Sequence, residues 1–202
     1  MIQKPPLKRS QFTGNLVLKN SLDRSGFKEW VFCPGMMFNA EHKWWDGRDK
    51  RSSDHEGLDL FLYRNYDGEI LRLDEGTEVP AIYDGTVVRV IDDFLGRSIF
   101  MEHANGLITA FGHTRPLAGI VAGTRMKEGD TIATIAEITD PKMKISPHLH
   151  ISAGWISGTI PYVKLNWETI VTSDTIALID PLELINRCSK ALKVSSPVCR
   201  AL

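Results

Sequence analysis

Between residues 55 and 156 the chain reads as a series of short strands, and this feature limits the fold more than any other. The segments are rich in β-branched and aromatic residues, and several of them alternate between apolar and polar positions. Turn dipeptides separate them at Asp84-Gly85, Asn105-Gly106 and Gly129-Asp130. Regular short strands with such breaks predict a mainly-β protein, an antiparallel sandwich or barrel.

The two ends of the chain have a different pattern. Residues 1–25 are polar and poorly patterned, which predicts an N-terminal arm packed on the domain. Asp180-Pro181 is followed by good helix formers, which predicts a short C-terminal helix. The length of 202 residues suits a single domain, for which we predict residues 26–187, followed by a tail over residues 188–202.

The charge balance gives no reason to expect a nucleic-acid partner. The chain has 24 Lys and Arg against 25 Asp and Glu, so the basic excess of a phosphate-backbone binder is missing. No apolar run approaches membrane-spanning length, which predicts no transmembrane segment. The N-terminus has no apolar stretch of signal-peptide length, so the chain as given carries no export signal. Two alternatives follow for the location, which the sequence leaves open: the protein works inside the cell, or a leader has been removed and replaced by Met1.

The three cysteines, Cys33, Cys188 and Cys199, are widely separated and form no C-x-x-C motif. This spacing argues against a sulfur-ligated zinc site. Cys188 and Cys199 could pair in an oxidising compartment, but the odd count favours reduced thiols in a C-terminal tail.

Two of the histidine groupings have the spacing of metal ligands. His55 and Asp59 are four residues apart, and His148 and His150 are two apart. On a strand, such even spacing places both side chains of a pair on one face. Each pair lies opposite an apolar face, which predicts that both occupy the solvent-facing side of a buried sheet.

Nitrogen and carboxylate ligands of this kind suit zinc. Three protein ligands with one open position is the catalytic arrangement, because a water must occupy the fourth position. The chain offers more candidates than ligands, so some of the histidines would be catalytic. Spacing alone leaves open which histidine of the H-x-H pair binds the metal.

A charged loop over residues 39–54 leads into His55 and carries the adjacent Trp44 and Trp45. Two tryptophans in a polar loop either line a groove or anchor the loop on the core, and the sequence supports both interpretations. Small residues near the candidate ligands leave room for a peptide backbone to approach. A strand-face groove with these features predicts an extended peptide as the ligand.

Five motifs together resemble the lysostaphin/LytM family of zinc endopeptidases, over about residues 55–155. They occur in the order of that family: HEGLD from residue 55, VPAIYDGTVVRV from 79, MEHANGLITAFGHT from 101, GTRMKEGDTIATI from 123, and PHLH from 147.

The resemblance implies a role for each of the five site residues. His55, Asp59 and the second histidine of the H-x-H, His150, would be the zinc ligands. His113 and His148 would handle protons and the oxyanion, and which of them is the base stays open. The resemblance also implies the family's compact duplicated β-motif. Its usual substrates are short peptides of bacterial peptidoglycan, which implies a cell-envelope or secreted location.

Other histidines and other functions are less well supported. His103 matches a family position but not a catalytic one, and we expect it to end a strand; His42 is expected to be a loop histidine. The main alternative function is a non-catalytic binding or regulatory protein of the cell envelope on the same fold. The complete set of five site residues favours the enzyme. A different zinc hydrolase and a histidine phosphocarrier are further alternatives, and a phosphocarrier has no need of Asp59.

Overall fold

The computed structural model describes residues 8–45, 49–93, 96–138, 145–158, 160–185, 189–193 and 197–200. Its strands are β1 (Phe27–Phe32), β2 (Leu58–Leu60), β3 (Leu62–Asn65), β4 (Ile70–Arg72), β5 (Glu78–Pro80), β6 (Gly85–Asp93), β7 (Gly96–His103), β8 (Leu107–Pro116), β9 (Arg125–Met126), β10 (Thr131–Ile135), β11 (Leu149–Ile156), β12 (Ile176–Ile179) and β13 (Ser189–Ala191). Its α-helices are α1 (Phe12–Lys19), α2 (Trp167–Thr172), α3 (Leu182–Ile185) and α4 (Pro197–Arg200).

Within these described ranges the strands form two sheets. The larger runs in the order β12-β11-β8-β7-β6-β9, with β2 added to β11 and with β10 joining β8 and β5. The smaller runs β13-β1-β3-β4. Every pair is antiparallel except β1 with β13. The predicted mainly-β, antiparallel fold class is therefore confirmed.

The alternating segments of the sequence form the strands because one side of each can enter the core. Fully buried apolar side chains from both sheets pack into one cluster, in which Trp30, Phe61 and Phe111 are among the largest. Apolar burial of this kind stabilises the fold by roughly 25 cal/mol per Å². Among the described helices, none has both the length and the apolar character needed to cross a membrane.

The N-terminal segment contains helix α1, which packs on the core through the fully buried Phe12 and Leu16. Between them, the Thr13 hydroxyl donates to the Ile185 carbonyl and accepts the indole N–H of Trp30 at 3.0 Å. The segment is thus joined to strand β1 and to helix α3. The domain boundaries expected at residues 25 and 187 stay predictions.

The C-terminal segment is partly as expected. A short helix, α3, begins directly after Pro181, which confirms the predicted C-terminal helix. The helical pattern continues in the sequence beyond Ile185, but Ser189–Ala191 form strand β13 instead of further helix. The reason is tertiary, because β13 pairs in parallel with β1 and so satisfies backbone groups at the edge of the smaller sheet.

Cys33 and Cys199 form a disulfide, with their Cα atoms 5.6 Å apart. The expectation of reduced thiols is therefore wrong for these two residues. Cys33 directly follows β1, and α4 brings Cys199 back to that point across 166 residues of sequence. Spacing along the chain could not reveal a contact that the fold creates. Cys188 lies outside the described residues, and so does the suggested pairing of Cys188 with Cys199.

Candidate active site and metal centre

The pairing of β2 with β11 brings the two candidate metal motifs together. In this antiparallel pair Asp59 lies directly opposite His150. On its other side His150 faces Gly112 of β8. Opposite residues of an antiparallel pair have Cβ atoms about 5 Å apart, so register alone places a carboxylate beside an imidazole.

His55 completes a triangle of donor atoms with Asp59 and His150. Its Nε2 lies 3.3 Å from Asp59 Oδ1 and 3.3 Å from His150 Nδ1, and the latter two atoms are 2.8 Å apart. These three residues form a buried group that could hold a metal ion. A tetrahedral zinc with bonds of about 2.0–2.2 Å has ligand atoms roughly 3.3–3.6 Å apart. The nitrogen and carboxylate donors and the two 3.3 Å separations fit zinc, whereas Asp59 Oδ1 and His150 Nδ1 are at a hydrogen-bond distance of 2.8 Å and would have to move apart.

The other ring nitrogen of each candidate ligand histidine has a hydrogen-bond partner. Nδ1 of His55 donates to the Met37 carbonyl at 3.0 Å. Nε2 of His150 lies 3.3 Å from the Glu56 carboxylate and 3.0 Å from the Ser152 hydroxyl. Such partners fix the tautomer of a ligand histidine, and they leave His55 Nε2 and His150 Nδ1 for a metal.

The second carboxylate oxygen of Asp59 is held by the loop over residues 39–54. The indole N–H of Trp44 donates to Asp59 Oδ2 at 2.6 Å, and a guanidinium nitrogen of Arg51 lies 3.6 Å from the same oxygen. Oδ1 therefore faces His55 and His150. Trp44 is 3% exposed, which makes it the anchor of the loop, whereas Trp45 is half-buried and lines the cavity. Of the two roles expected for the tryptophan pair, anchoring the loop applies to Trp44 and lining a groove applies to Trp45.

His148 and His113 lie beside the donor triangle. Nδ1 of His148 donates to the Ser146 carbonyl at 2.8 Å, and its Nε2 is 3.7 Å from Asp59 Oδ1. The His113 ring centroid is 4.7 Å from that of His148 and 5.9 Å from that of His150. All five residues singled out in the sequence thus come together in the fold, although they come from three separate parts of the chain.

The buried carboxylates and imidazoles of the site shift one another's pKa values when no metal is bound. Burial would raise the pKa of Asp59, but the neighbouring His55 and His148 and the His150 hydrogen bond hold this pKa well below its usual value. Burial opposes the proton on His150, yet Asp59 and Glu56 raise the pKa of His150 to about 9. For His148, burial dominates and lowers the pKa to about 3. Without metal, His150 therefore carries the positive charge that the two carboxylates require.

A cavity of about 270 Å³ is lined by the three residues of the donor triangle together with Trp45 and Trp167. Trp167 is the first residue of α2, and its ring stands edge-on to that of His150, with centroids 5.0 Å apart. A Cβ at Gly112 would come within 3.0 Å of the Trp167 ring, so the glycine makes room for this wall.

The expectation that the ligand pairs face solvent is wrong, because His55 and Asp59 are 2% exposed and His150 is 6% exposed. The loop with Trp44 and the segment with Trp167 cover that face of the sheet. Trp167 was missed in the sequence because it stands outside all five motifs, in a segment without strand alternation.

The remaining two histidines lie outside the cavity lining. His103 ends β7, as expected, and its ring bonds to the Asp84 carbonyl and the Thr109 hydroxyl at 3.0 and 2.8 Å. Both ring nitrogens of His103 therefore make structural hydrogen bonds. His42 is an exposed residue of the loop and forms a single β-bridge with Lys50.

Residues 64–159 match the model of Peptidase family M23. The matched segment contains His113, His148 and His150, whereas His55 and Asp59 precede it. The match confirms the family resemblance expected from the motifs: residues 64–159 are similar to the M23 peptidase family. A comparison with curated proteins finds no match.

Several solved structures are similar to this chain. The catalytic domain of the prophage-encoded M23 protein EnpA from Enterococcus faecalis is 22% identical, with a TM-score of 0.38, over 53% of this chain and 72% of that one. LytU is 19% identical, with a TM-score of 0.46, over 75% and 90%. Lysostaphin is 18% identical, also with a TM-score of 0.46, over 72% and 50%. Similarities at this level carry no argument about the activity, metal or substrate of this chain.

Proposed function

We propose that this protein is a zinc-dependent endopeptidase that hydrolyses short peptides, with the stem or cross-bridge peptides of bacterial peptidoglycan as its substrates. The single observation that carries the proposal is the buried triangle of His55, Asp59 and His150 at the floor of an open cavity. Three protein ligands with room for a fourth position is the arrangement of catalytic zinc.

The metal would be held by His55 Nε2, Asp59 Oδ1 and His150 Nδ1, which are the atoms that face one another. Zinc bound there would supply the chemistry of a Lewis acid, acidifying a water and polarising a carbonyl. Trp44 and Glu56 would orient the ligands through Asp59 Oδ2 and His150 Nε2. The choice of the second histidine of the H-x-H motif is supported by distance, because Nε2 of His148 lies farther from Asp59 Oδ1, at 3.7 Å against 2.8 Å for His150 Nδ1.

His113 and His148 would perform the proton transfers. In each ring Nδ1 faces an acceptor, the Asp93 carboxylate for His113 and the Ser146 carbonyl for His148. If Nδ1 carries the proton, Nε2 is left as the atom that accepts or donates a proton at the substrate. Groups that transfer protons in this way typically contribute about 10²–10⁴-fold to the rate.

The walls of the cavity support an extended peptide as the substrate. Trp45 and Trp167 both line the cavity and offer flat apolar surfaces, and Asp59 and His150 reach it from the paired strands β2 and β11. The Arg51 guanidinium lies over the Trp45 ring, 4.8 Å from its centroid, and fixes that wall.

We also propose that the protein works in the cell envelope or outside the cell. The disulfide between Cys33 and Cys199 supports this location, because disulfides persist in oxidising compartments and are rare in the cytosol. Alkylation of free thiols in freshly lysed cells tests it. Protection of Cys33 and Cys199 is expected, and full alkylation of both would contradict the proposed location.

The function is tested by incubating the zinc-loaded full chain with purified peptidoglycan, with and without a chelator, and identifying soluble fragments by mass spectrometry. Release of peptide-cleaved fragments that stops with the chelator and returns with zinc is expected. His150→Ala should be inactive, whereas His42→Ala, a change at an exposed loop histidine, should keep full activity. A folded, zinc-loaded protein that cleaves neither peptidoglycan nor Gly- or Ala-rich peptides would favour the non-catalytic binding protein.

A further inference from the structure

Asp93 is a buried carboxylate beside His113 that belongs to none of the sequence motifs. It is the last residue of β6, and its side chain is 3% exposed. Its Oδ1 lies 3.4 Å from His113 Nδ1, and its Oδ2 accepts the backbone N–H of His113 at 3.1 Å. Both carboxylate oxygens therefore contact the same histidine, one at the ring and one at the main chain.

The main chain at His113 is shaped for this contact. The register between β7 and β8 shifts here, so that Gly112 and His113 together face the single residue Ser98. His113 has a φ of +60°, an uncommon conformation for a non-glycine residue. A bulge of this kind leaves a backbone N–H outside the ladder and redirects a side chain. Asp93 Oδ2 takes that N–H, so the carboxylate also stabilises the bulge that presents the His113 ring to the cavity.

A chain of hydrogen bonds fixes the carboxylate in turn. The fully buried Ser98 hydroxyl donates to Asp93 Oδ2 at 2.6 Å and accepts the indole N–H of Trp167 at 2.8 Å. Trp167 is the wall residue that packs against His150. Asp93 is thus linked to two residues that line the cavity, to His113 directly and to Trp167 through the Ser98 hydroxyl.

We propose that Asp93 is a positioning residue that holds the proton of His113 on Nδ1 and turns the lone pair of Nε2 toward the substrate. The inference rests on the proposed peptidase function for its catalytic consequence, but the tautomer is a property of the fold alone. A carboxylate at Nδ1 accepts a hydrogen bond and cannot donate one while it is ionised, so the proton must be on the ring nitrogen that faces it. The same carboxylate stabilises the imidazolium that forms when Nε2 takes up a proton.

Substitution Asp93→Asn separates this role from packing, because it keeps the shape of the side chain and replaces an acceptor by an amide donor. With that donor facing Nδ1, the proton of His113 should move to Nε2. We expect zinc content and thermal stability close to those of the unchanged protein. KM should change little, while kcat should fall on the order of 10²–10⁴-fold, as expected for the loss of a correctly protonated histidine base. The matched control is Asp92→Asn, which changes the adjacent, solvent-exposed carboxylate.

The direct readout is the tautomer of His113, measured by long-range ¹H–¹⁵N correlation on the ¹⁵N-labelled, zinc-loaded full chain at a pH where the ring is neutral. His113→Gln identifies the signal. Protonated Nδ1 in the unchanged protein and protonated Nε2 in Asp93→Asn are the expected results. Protonated Nε2 in the unchanged protein, or full kcat in a correctly folded Asp93→Asn, would overturn the proposal. An unchanged protein without peptidase activity would count against the proposed function, and its tautomer would still decide the role of Asp93.

Discussion

The Asp59 carboxylate has a separate partner for each of its oxygens. Oδ1 faces His55 and His150, while Oδ2 is held by the Trp44 indole and lies close to Arg51. A buried carboxylate with one oxygen fixed in this way is prepared to bind a metal through the other, and the loss of such an outer contact typically weakens metal binding about 10–100-fold.

Trp44→Phe should therefore weaken zinc binding while it keeps most of the aromatic packing against Phe61 and His148. The indole N–H is lost, so Asp59 Oδ2 loses its 2.6 Å hydrogen bond. We expect a 10–100-fold rise in Kd, on the order found for outer-shell partners, measured by competition with a chelator. Trp45→Phe removes no hydrogen bond to Asp59 and serves as the control. Equal zinc affinity in both variants would contradict the role of the indole.

The proton on His150 predicts how zinc uptake depends on pH. Asp59 and Glu56 raise the pKa of His150 to about 9 against the opposing effect of burial, so at neutral pH the metal-free ring is charged. Zinc must displace this proton, because a ligand imidazole has to be neutral. Apparent affinity should rise with pH up to about 9, by as much as about tenfold per pH unit, and level off above it.

Calorimetry in buffers of different ionisation enthalpy measures the protons that zinc releases. About one proton per zinc from His150 is expected near pH 7.5, and fewer above pH 9. Zinc uptake with no proton release at pH 7.5 would show that His150 is neutral before the metal binds.

The sequence predicts some residues of the site and misses others. His55, Asp59, His113, His148 and His150 could be selected from short motifs, because even spacing on strands places side chains on one face. Trp167 and Asp93 could not, since they reach the site from an irregular segment and from the end of β6. Their contacts depend on tertiary packing, of which local spacing carries no signal.

Among the elements, strand β2 is the one whose placement matters most for the metal ligands. It is three residues long, and its pairing with β11 sets Asp59 against His150. A shift of one residue would turn Asp59 to the opposite face. The strands that follow, among them β6 and β11, lie within residues 55–156 and were therefore predictable as strands. Strand β13 was not, because its pairing with β1 overrides a helical pattern.

Gly57→Ala tests this placement, because Gly57 directly precedes β2. A Cβ there would lie 2.4 Å from the Ile151 carbonyl oxygen and 2.7 Å from His150 Nε2, far closer than atoms can approach. We expect β2 to be forced away from β11, a loss of about 1–3 kcal/mol in unfolding free energy and a large loss of zinc. Gly14→Ala is the control: its Cβ has no atom within 4 Å, and in helix α1 it should stabilise by about 0.5–1 kcal/mol. Full zinc content in Gly57→Ala would contradict the tight pairing.

At the scale of the whole molecule, the first and last described helices, α1 and α4, are both joined to strand β1 or to the residue that follows it. Helix α1 bonds to α3 through Thr13, and the disulfide joins Cys199 to the end of β1. Met37, whose carbonyl orients His55, follows Cys33 by four residues. The sequence could not predict this disulfide, because three scattered cysteines allow several pairings.

Cys33→Ser combined with Cys199→Ser should lower the unfolding free energy by about 2–5 kcal/mol, since the bond closes a loop of 166 residues in sequence. We expect a lower melting temperature and a zinc content that stays unchanged at low temperature. Reductant should lower the melting temperature of the unchanged protein to that of the double variant and leave the variant unaffected. A melting temperature that responds to neither change would show that the disulfide does not stabilise the fold.

The zinc content of two matched variants, His150→Ala and His148→Ala, tests the proposed metal centre most directly. Both remove a buried histidine from the same motif, but only His150 contributes an atom to the donor triangle. Elemental analysis should find a single zinc per chain in the unchanged protein, nearly as much in His148→Ala and very little in His150→Ala. Full zinc in a folded His150→Ala, with zinc lost from His148→Ala, would contradict the ligand assignment.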